Sequence, residues 1–290
     1  MSPSQAPANQ PGDPEPAILL QQWGDDLARW AIPEHITAAV SESPWVLPPQ
    51  VFARRADAVS AEPSGVSFER AWAALDPPGS VLDVGSGAGA ACLPLLPRTT
   101  ALTAVDEAGA MLALLAERAT ARGQTATCVT GRWPDVAPSV AVADVVTCHN
   151  VVYNVPDTEP FVAALTDHAR RLVVVELTAV HPLTSLSPLW LRFHGLRRPD
   201  RPTGADLLEL LRALGLEIGF QQWQRPGGLE YSSFAEAVDV TRRRLCLPPD
   251  RADEVGRALV DAGVDPARPH DLGSSGRQVL TIWWAGEAKA

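Results

Sequence analysis

Lysine is almost absent from this 290-residue chain: the one example is Lys289, so arginine carries nearly all of the positive charge. Cysteine is scarce too. Cys92, Cys128, Cys148 and Cys246 stand far apart, with no C-x-x-C pair and no Cys/His ligand spacing. This speaks against a zinc site and against a disulfide framework. Reduced thiols of a cytoplasmic protein are the expectation. No basic stretch followed by an apolar core opens the chain, so no secretory leader is expected. No apolar run is long enough to span a bilayer, and no membrane partner is expected. The net charge of −10 argues against a broad nucleic-acid or anionic-membrane surface, although a local basic patch is compatible with it. The pattern does not specify an oligomeric state.

What is present organises around Ser80-Val-Leu-Asp-Val-Gly-Ser-Gly-Ala-Gly-Ala90. Val81, Leu82 and Val84 read as a short buried strand. Gly85, Gly87 and Gly89 then form a tight turn, and small apolar residues open a helix over about 88–96. Strand, glycine turn and helix N-terminus bring backbone N–H groups toward a ligand. Gly85-x-Gly87-x-x-Ala90 fits the dinucleotide fingerprint. Asp83 tilts the reading away from it. A carboxylate beside the loop repels a pyrophosphate and suits a ligand carrying an ammonium and a sulfonium. The plainer alternative is an acid that caps the turn.

The rest of the chain falls into three parts. Residues 1–16 are mostly Pro, Ser, Gln, Asn and Gly with few apolar groups, and read as a disordered tail. Residues 17–78 read as four helices in a cap that cannot bury its apolar faces alone. Its Trp45 and Phe52 are expected over a substrate pocket. Residues 79–290 alternate strands and helices, which calls for right-handed crossovers and a doubly wound α/β sheet. Strands are expected at 80–84, 102–105, 126–130, 144–148, 172–176, 216–223 and 279–284. The fifth is continuously apolar and reads as central in a parallel sheet. Insertions at 177–201 and 228–275 break the rhythm, the second holding two helices.

Candidate site residues cluster at strand ends. Asp106 lies 21 residues after Gly85, where an acid accepts the ribose hydroxyls of a bound adenosine; it can also cap the next helix. Glu107 adjoins it. Met111 on that helix packs either on an adenine or in the core. Gly131, Arg132 and Trp133 follow the third strand. The indole either stacks on the adenine or seals the core, and the arginine either bonds the ring or lies in water. His149 follows the fourth strand and is a candidate general base or cofactor contact. Tyr153 and His181 stand behind it as catalytic candidates. Glu176 is the acid at the tip of the fifth strand. Trp190, His194 and the arginines of 197–201 offer a substrate wall and an anion contact, with a solvated loop as the plainer reading.

Taken in order, Val81-Leu-Asp83-Val-Gly85-x-Gly87-x-Gly89, Val105-Asp106-x-x-x-x-Met111-Leu112, Gly131, and His149-Asn-Val-Val-Tyr153-Asn-Val-Pro-Asp157 resemble the class I S-adenosylmethionine-dependent methyltransferases. The likeness covers about residues 80–224 plus the last strand, and the whole chain resembles an actinobacterial-type group within that family. It implies a seven-stranded Rossmann-like sheet of order 3-2-1-4-5-7-6 with the seventh strand antiparallel. It implies S-adenosyl-L-methionine as cofactor, with Gly85 and Gly87 at its methionine end and Asp106 on its ribose. The acid that the family often carries after strand three is replaced by Gly131-Arg132-Trp133. The Asn/Asp-Pro-Pro-aromatic motif of amide and nucleobase N-methylating members is missing. So is the acid-rich pattern of metal-dependent catechol-type members, and no metal is expected. The function expected is methyl transfer to an oxygen or nitrogen of a small-molecule acceptor. An RNA or protein methyltransferase, a catalytically silent cofactor-binding protein and a nicotinamide dehydrogenase are the rivals.

Overall fold

The computed structural model describes residues 15–45, 48–225, 231–269 and 277–288; the expected tail lies almost wholly outside them. Short β-branched runs build one sheet from β1 (Gly79–Val84), β2 (Thr99–Asp106), β3 (Ala126–Thr130), β4 (Ala143–His149), β5 (Ala169–Thr178), β6 (Gly219–Gln224) and β7 (Gln278–Ala285). The order is β3-β2-β1-β4-β5-β7-β6, as the resemblance implies. The first five strands are mutually parallel, and β7 runs antiparallel to both β5 and β6. β5 is therefore not inside a purely parallel sheet. It stands on the border, parallel to β4 and antiparallel to β7, and its apolar run reflects cover on both faces.

The period-two alternation of the strands separates two cores. On one face Leu82, Val84, Val146 and Val175 meet Trp23 of α1 (Pro16–Ala28), Phe161 and Leu165 of α6 (Thr158–Asp167), and Leu207 and Leu211 of α8 (Gly204–Ala213). On the other, Val81, Val145 and Val174 meet Ala56 of α3 (Pro49–Ala61), Ala71 of α4 (Val66–Ala74), and Leu112 and Leu115 of α5 (Gly109–Ala121). α8 starts on a capping box in which Thr203 and Asp206 bond reciprocally, worth about 1 kcal/mol.

The remaining helices make a third core. α2 (Glu34–Thr37), α7 (Ser187–His194), α9 (Phe234–Arg244) and α10 (Ala252–Asp261) enclose Ile36, Leu189, Trp190, Val238, Leu245, Val255 and Leu259. The amino-terminal cap and both insertions thus pack on one another. Phe52 is packed against the second core, whereas Trp45 is exposed. The helix expected at 88–96 is replaced by turns and a 3-10 segment at Leu93–Arg98. Pro94 supplies the reason: inside an α-helix it would remove a ladder hydrogen bond and clash with the preceding turn.

Trp23 ties the cap to the sheet. It is 2% exposed, its Nε1 donates to the Val155 carbonyl at 3.0 Å, and its ring stacks on Tyr153 at 5.9 Å. Trp23→Ala should cost about 3–5 kcal/mol, and Trp23→Phe, which removes mainly the hydrogen bond, about 1 kcal/mol. Urea unfolding checks both; a Trp23→Ala loss below 1 kcal/mol would show that the cap is not part of the cooperative unit.

Candidate active site

The glycine loop is shaped by its neighbours. Gly85 has φ +67°, and a Cβ there would run into Val151. Gly87 has φ +51°, and a Cβ there would meet nothing within 4 Å, so open space lies over it. The backbone donors are largely consumed inside the protein. Gly85 and Ser86 N–H donate to the Val105 carbonyl at 2.8 and 3.1 Å, and Gly89 N–H to Ser86 at 2.9 Å. Gly87 N–H donates to Asp106 Oδ2 at 2.8 Å. No α-helix N-terminus stands behind the loop, because turns and the 3-10 segment follow it. The converging-donor cradle read from the sequence is therefore not what forms. The loop provides room and flanking carboxylates, a poor seat for a pyrophosphate and a good one for a cation.

Asp106 is half-buried at the end of β2. Its Oδ1 accepts from Ala108 N–H at 2.8 Å, so it caps the turn into α5 while it holds Gly87. Each oxygen accepts one of these bonds and keeps a lone pair for a ligand hydroxyl. Glu107 is exposed and Met111 half-buried beside it.

Asp83 is 1% exposed. Its Oδ1 accepts from Thr147 Oγ1 at 2.8 Å, and its Oδ2 has no partner. Burial pushes its pKa above the usual carboxylate value, although His149, Cys92 and Thr147 pull the other way. Ser86 Oγ and His149 Nε2 are likewise buried and unpartnered. Three unsatisfied polar atoms at the glycine loop and the neighbouring tip of β4 mark a place built for a polar ligand. Asp83 and Ser86 fit the methionine end of S-adenosylmethionine: a carboxylate for its ammonium and sulfonium, and a hydroxyl for its carboxylate.

A second acid stands two strands away. Register pairs Asp83 with Thr147 and His149 with Glu176, so Asp83, Thr147, His149 and Glu176 form a polar row at the carboxyl edge, on the face covered by α4. His149 Nδ1 lies 4.0 Å from Glu176 Oε1. Glu176 Oε2 accepts from Ser67 Oγ in α4, and Oε1 accepts from Arg225 Nη2. Burial raises the Glu176 pKa, but His149, Arg225, Ser67 and Arg55 outweigh it and hold the carboxyl below its usual value. Sequence reasoning named His149 and Glu176 but missed Ser67, Arg55 and Arg225. Arg225 left one signal, since it directly follows β6 at the same edge as the ends of β4 and β5. Ser67 and Arg55 left none.

Other candidates are placed elsewhere. Trp133 is buried in the core, with its Nε1 donating to Phe161 O at 3.3 Å and its ring edge-on to His168. It seals the core and presents no face to an adenine. Gly131 N–H donates to Asp106 O at 3.0 Å, and Arg132 is exposed. Tyr153 is buried, its hydroxyl donates to Thr178 O at 2.8 Å, and burial drives its pKa upward. That hydroxyl is engaged in the fold and is not poised as a base. His181 is stacked on Trp30 at 3.8 Å between ring centroids and accepts from Leu183 N–H through Nδ1. Burial and three arginines lower its pKa to about 3. Trp190 belongs to the third core, and His194 Nε2 bonds to Leu245 O. A surface groove between α9 and α10, lined by Phe234, Val238 and Val260, contains none of the loop or polar-row residues.

Comparison with known proteins accords with this geometry. Residues 81–173 match the family model described as a methyltransferase domain. Those residues therefore carry a methyltransferase domain. No curated protein matches the chain. Among solved structures, a cyclopropane-fatty-acyl-phospholipid synthase-like protein from Lactobacillus casei shares 15% identity over 87% of this chain and 98% of its own, with a TM-score of 0.52. The magnesium protoporphyrin IX methyltransferase of Synechocystis, with bound S-adenosylhomocysteine, shares 17% over 82% and 84%, with a TM-score of 0.47. The plantazolicin methyltransferase BamL shares 11% over 94% and 99%, with a TM-score of 0.48. At 15% identity the likeness to the first of these is one of fold alone. Among the described residues, no helix is long and apolar enough to cross a membrane, and no group of three His, Cys, Asp or Glu is arranged to hold a metal ion.

The buried acids of the polar row, Asp83 and Glu176, respond oppositely to pH. Glu176 has a depressed folded pKa, so its stabilisation is present above the unfolded value near 4.5 and is lost as pH falls through the folded value. Thermal midpoints should drop on acidification in the wild type, with a shallower slope in Glu176→Gln. Asp83 has a raised folded pKa, so its ionisation costs stability as pH climbs past 3.8 through the folded value. At neutral pH Asp83→Asn should raise the apo midpoint by about 2–4 °C while weakening S-adenosylhomocysteine at least about tenfold, or 1.4 kcal/mol. Paired thermal and calorimetric measurements check this; unchanged affinity would remove Asp83 from the cofactor site.

Proposed function

We propose that this protein is an S-adenosylmethionine-dependent methyltransferase that moves a methyl group to an oxygen or nitrogen nucleophile of a small molecule, with His149 taking the proton that the nucleophile gives up. The observation that carries the reading is His149 itself. Its Nδ1 faces Glu176, and its Nε2 is buried with no protein partner. The ionised Glu176 favours the proton on Nδ1, which leaves a lone pair on Nε2. Glu176 is in turn held by Ser67 and Arg225. The imidazole is the base, Glu176 positions it, and α4 and the segment after β6 position Glu176.

Asp83, Gly85, Ser86, Gly87 and Gly89 would hold the methionine end of the cofactor and Asp106 its ribose. Met111, Gly131 and Arg132 would stand on the adenine side, and His149 lines the site as well. S-adenosylmethionine, when bound, supplies an already activated methyl group on a positively charged sulfur. The chain's own task is then to align the nucleophile, exclude water and accept one proton. Residues 17–78 act as part of the catalytic unit in this reading, because they carry Ser67 and Arg55. Four unpaired cysteines suit a cytoplasmic enzyme of the actinobacterial-type group that the chain resembles.

The rivals are less well supported. An RNA or protein substrate calls for a contiguous arginine face. Of the arginines that could build one, Arg192 is paired with Asp261, Arg201 with Asp26 and Asp206, Arg242 with Glu42 and Asp239, and Arg243 with Glu42; Arg198 is spent on the Ala31 and Trp30 carbonyls, which leaves Arg197 and Arg244. A nicotinamide dinucleotide calls for the helix N-terminus that this loop lacks. Calorimetric titration decides the donor: saturable S-adenosylhomocysteine binding with no response to NAD is expected, and the reverse result would overturn the reading. For catalysis, His149→Gln should lower turnover of methyl-labelled S-adenosylmethionine on any accepted phenol or amine by about 10²–10⁴-fold. Undiminished turnover would exclude a base at this position, and a lack of product from the wild type across such a panel would favour the silent binding protein.

A further inference from the structure

Asp83 is placed by the two strands beside it. Register sets Ala104 of β2 on one side and Thr147 of β4 on the other. Ala104 has no polar side-chain atom, so orienting the carboxyl falls to Thr147. That residue is fully buried. Its Oγ1 donates to Asp83 Oδ1 at 2.8 Å and lies 3.5 Å from Leu82 O. On its far side the register partner is Val174, which offers the hydroxyl nothing. A β-branched side chain has restricted χ1 freedom, so the hydroxyl is fixed where Asp83 needs a donor.

A buried threonine that only filled space would bond a nearby carbonyl, and Leu82 O is there for it. The shorter contact goes to the carboxyl instead. Oδ1 is thereby engaged, and Oδ2 is left buried and without a partner. The other groups facing Asp83 do not replace this contact. His149 on β4 and Asp106 on β2 act on it through charge, with opposite signs. The Cys92 thiol draws the carboxyl toward its ionised form, but a thiol is a weak donor, and this one also reaches Gly89 O at 3.8 Å. Cys148, beside Thr147 in the chain, stays neutral because burial pushes its thiol pKa up. Among the described residues, Thr147 is the hydroxyl that both fixes the carboxyl and favours its charge.

We propose that Thr147 is a positioning residue of the cofactor site: its hydroxyl holds the Asp83 carboxylate by Oδ1 and leaves Oδ2 as the oxygen that receives a cationic ligand. This role rests on Asp83 serving the methionine end of the cofactor. It also makes binding sensitive to pH. Only the ionised carboxylate attracts a cation, so the ligand is lost as pH falls through the folded Asp83 value. That value is already raised by burial. Without the Thr147 hydroxyl it stands higher still, and the loss begins nearer neutrality.

The test uses the full-length protein with Thr147→Val, which removes the hydroxyl, and Thr147→Ser, which keeps it. The Asp83 carboxyl is titrated without ligand by carbon NMR of aspartate-labelled protein, its signal assigned by its disappearance in Asp83→Asn. S-adenosylhomocysteine affinity is measured by calorimetry from neutral to acid pH. In Thr147→Val the carboxyl should titrate at a higher pH than in the wild type. The ligand should bind about three- to tenfold more weakly at neutral pH, with the loss growing on acidification. Thr147→Ser should recover both. Thr147→Cys, with its weak thiol donor, takes the place of Thr147→Val if that variant does not fold. Weaker binding with an unmoved Asp83 titration, or a Thr147→Ser variant as weak as Thr147→Val, would show a merely structural threonine and overturn the proposal. A titration that moves as expected in a protein that binds no S-adenosylhomocysteine would instead refute the cofactor reading and leave Thr147 as the residue that orients Asp83.

Discussion

Burying a carboxylate costs several kcal/mol unless its oxygens are fully bonded, and Asp83 is buried with Thr147 as the one hydrogen-bond partner of Oδ1 and none for Oδ2. Its position leaves no alternative: it is the penultimate residue of β1, the strand flanked by β2 and β4, and solvent does not reach it. The sheet therefore carries, near its middle, a charge that the protein alone leaves short of partners. A cationic ligand seated over Gly87 supplies what is missing. The same deficit makes the loop unsuitable for a pyrophosphate, so the discrimination between donor classes is electrostatic before it is a matter of shape.

Glu176 shows the opposite treatment two strands away. It is as deeply buried, yet Ser67, Arg225 and the nearby His149 and Arg55 hold it ionised. One acid is kept short of partners and the other supplied with them, and His149 lies in the field of both. Such divergence between neighbouring titratable groups is how a site assigns different tasks to identical side chains. Here it separates holding a ligand from orienting a base.

The parts of this arrangement legible in the sequence are those whose neighbours are local. Asp83, the glycines and Asp106 sit at strand ends marked by apolar runs, and the alternation of strands and helices located nearly every element. Ser67 was invisible, because a serine near a helix start has many uses and its partner is 109 residues away. Trp133 was read two ways because an indole after a strand can turn in or out, and only the space beside Phe161 and His168 decides. The helix expected after the loop failed on a local conflict: Leu93, Leu95 and Leu96 have helical apolarity, but Pro94 and Pro97 sit among them. The accessory core was hidden for another reason. Its helices come from three separate stretches, and none of them shows by itself which partner it will meet.

The contacts that fasten the amino-terminal helices to the body span long stretches of chain: 132 residues from Trp23 to Val155, 109 from Ser67 to Glu176 and 171 from Trp30 to Arg201. A ribosome delivers these helices first and their partners last. For most of translation Trp23 and Trp30 have nothing to dock on, and the loop-closure entropy for holding them is spent only after β5 and the segment beyond it emerge. The order of synthesis thus runs opposite to the order of assembly. The nascent chain must keep two tryptophans out of wrong contacts while about half of the protein is still unmade.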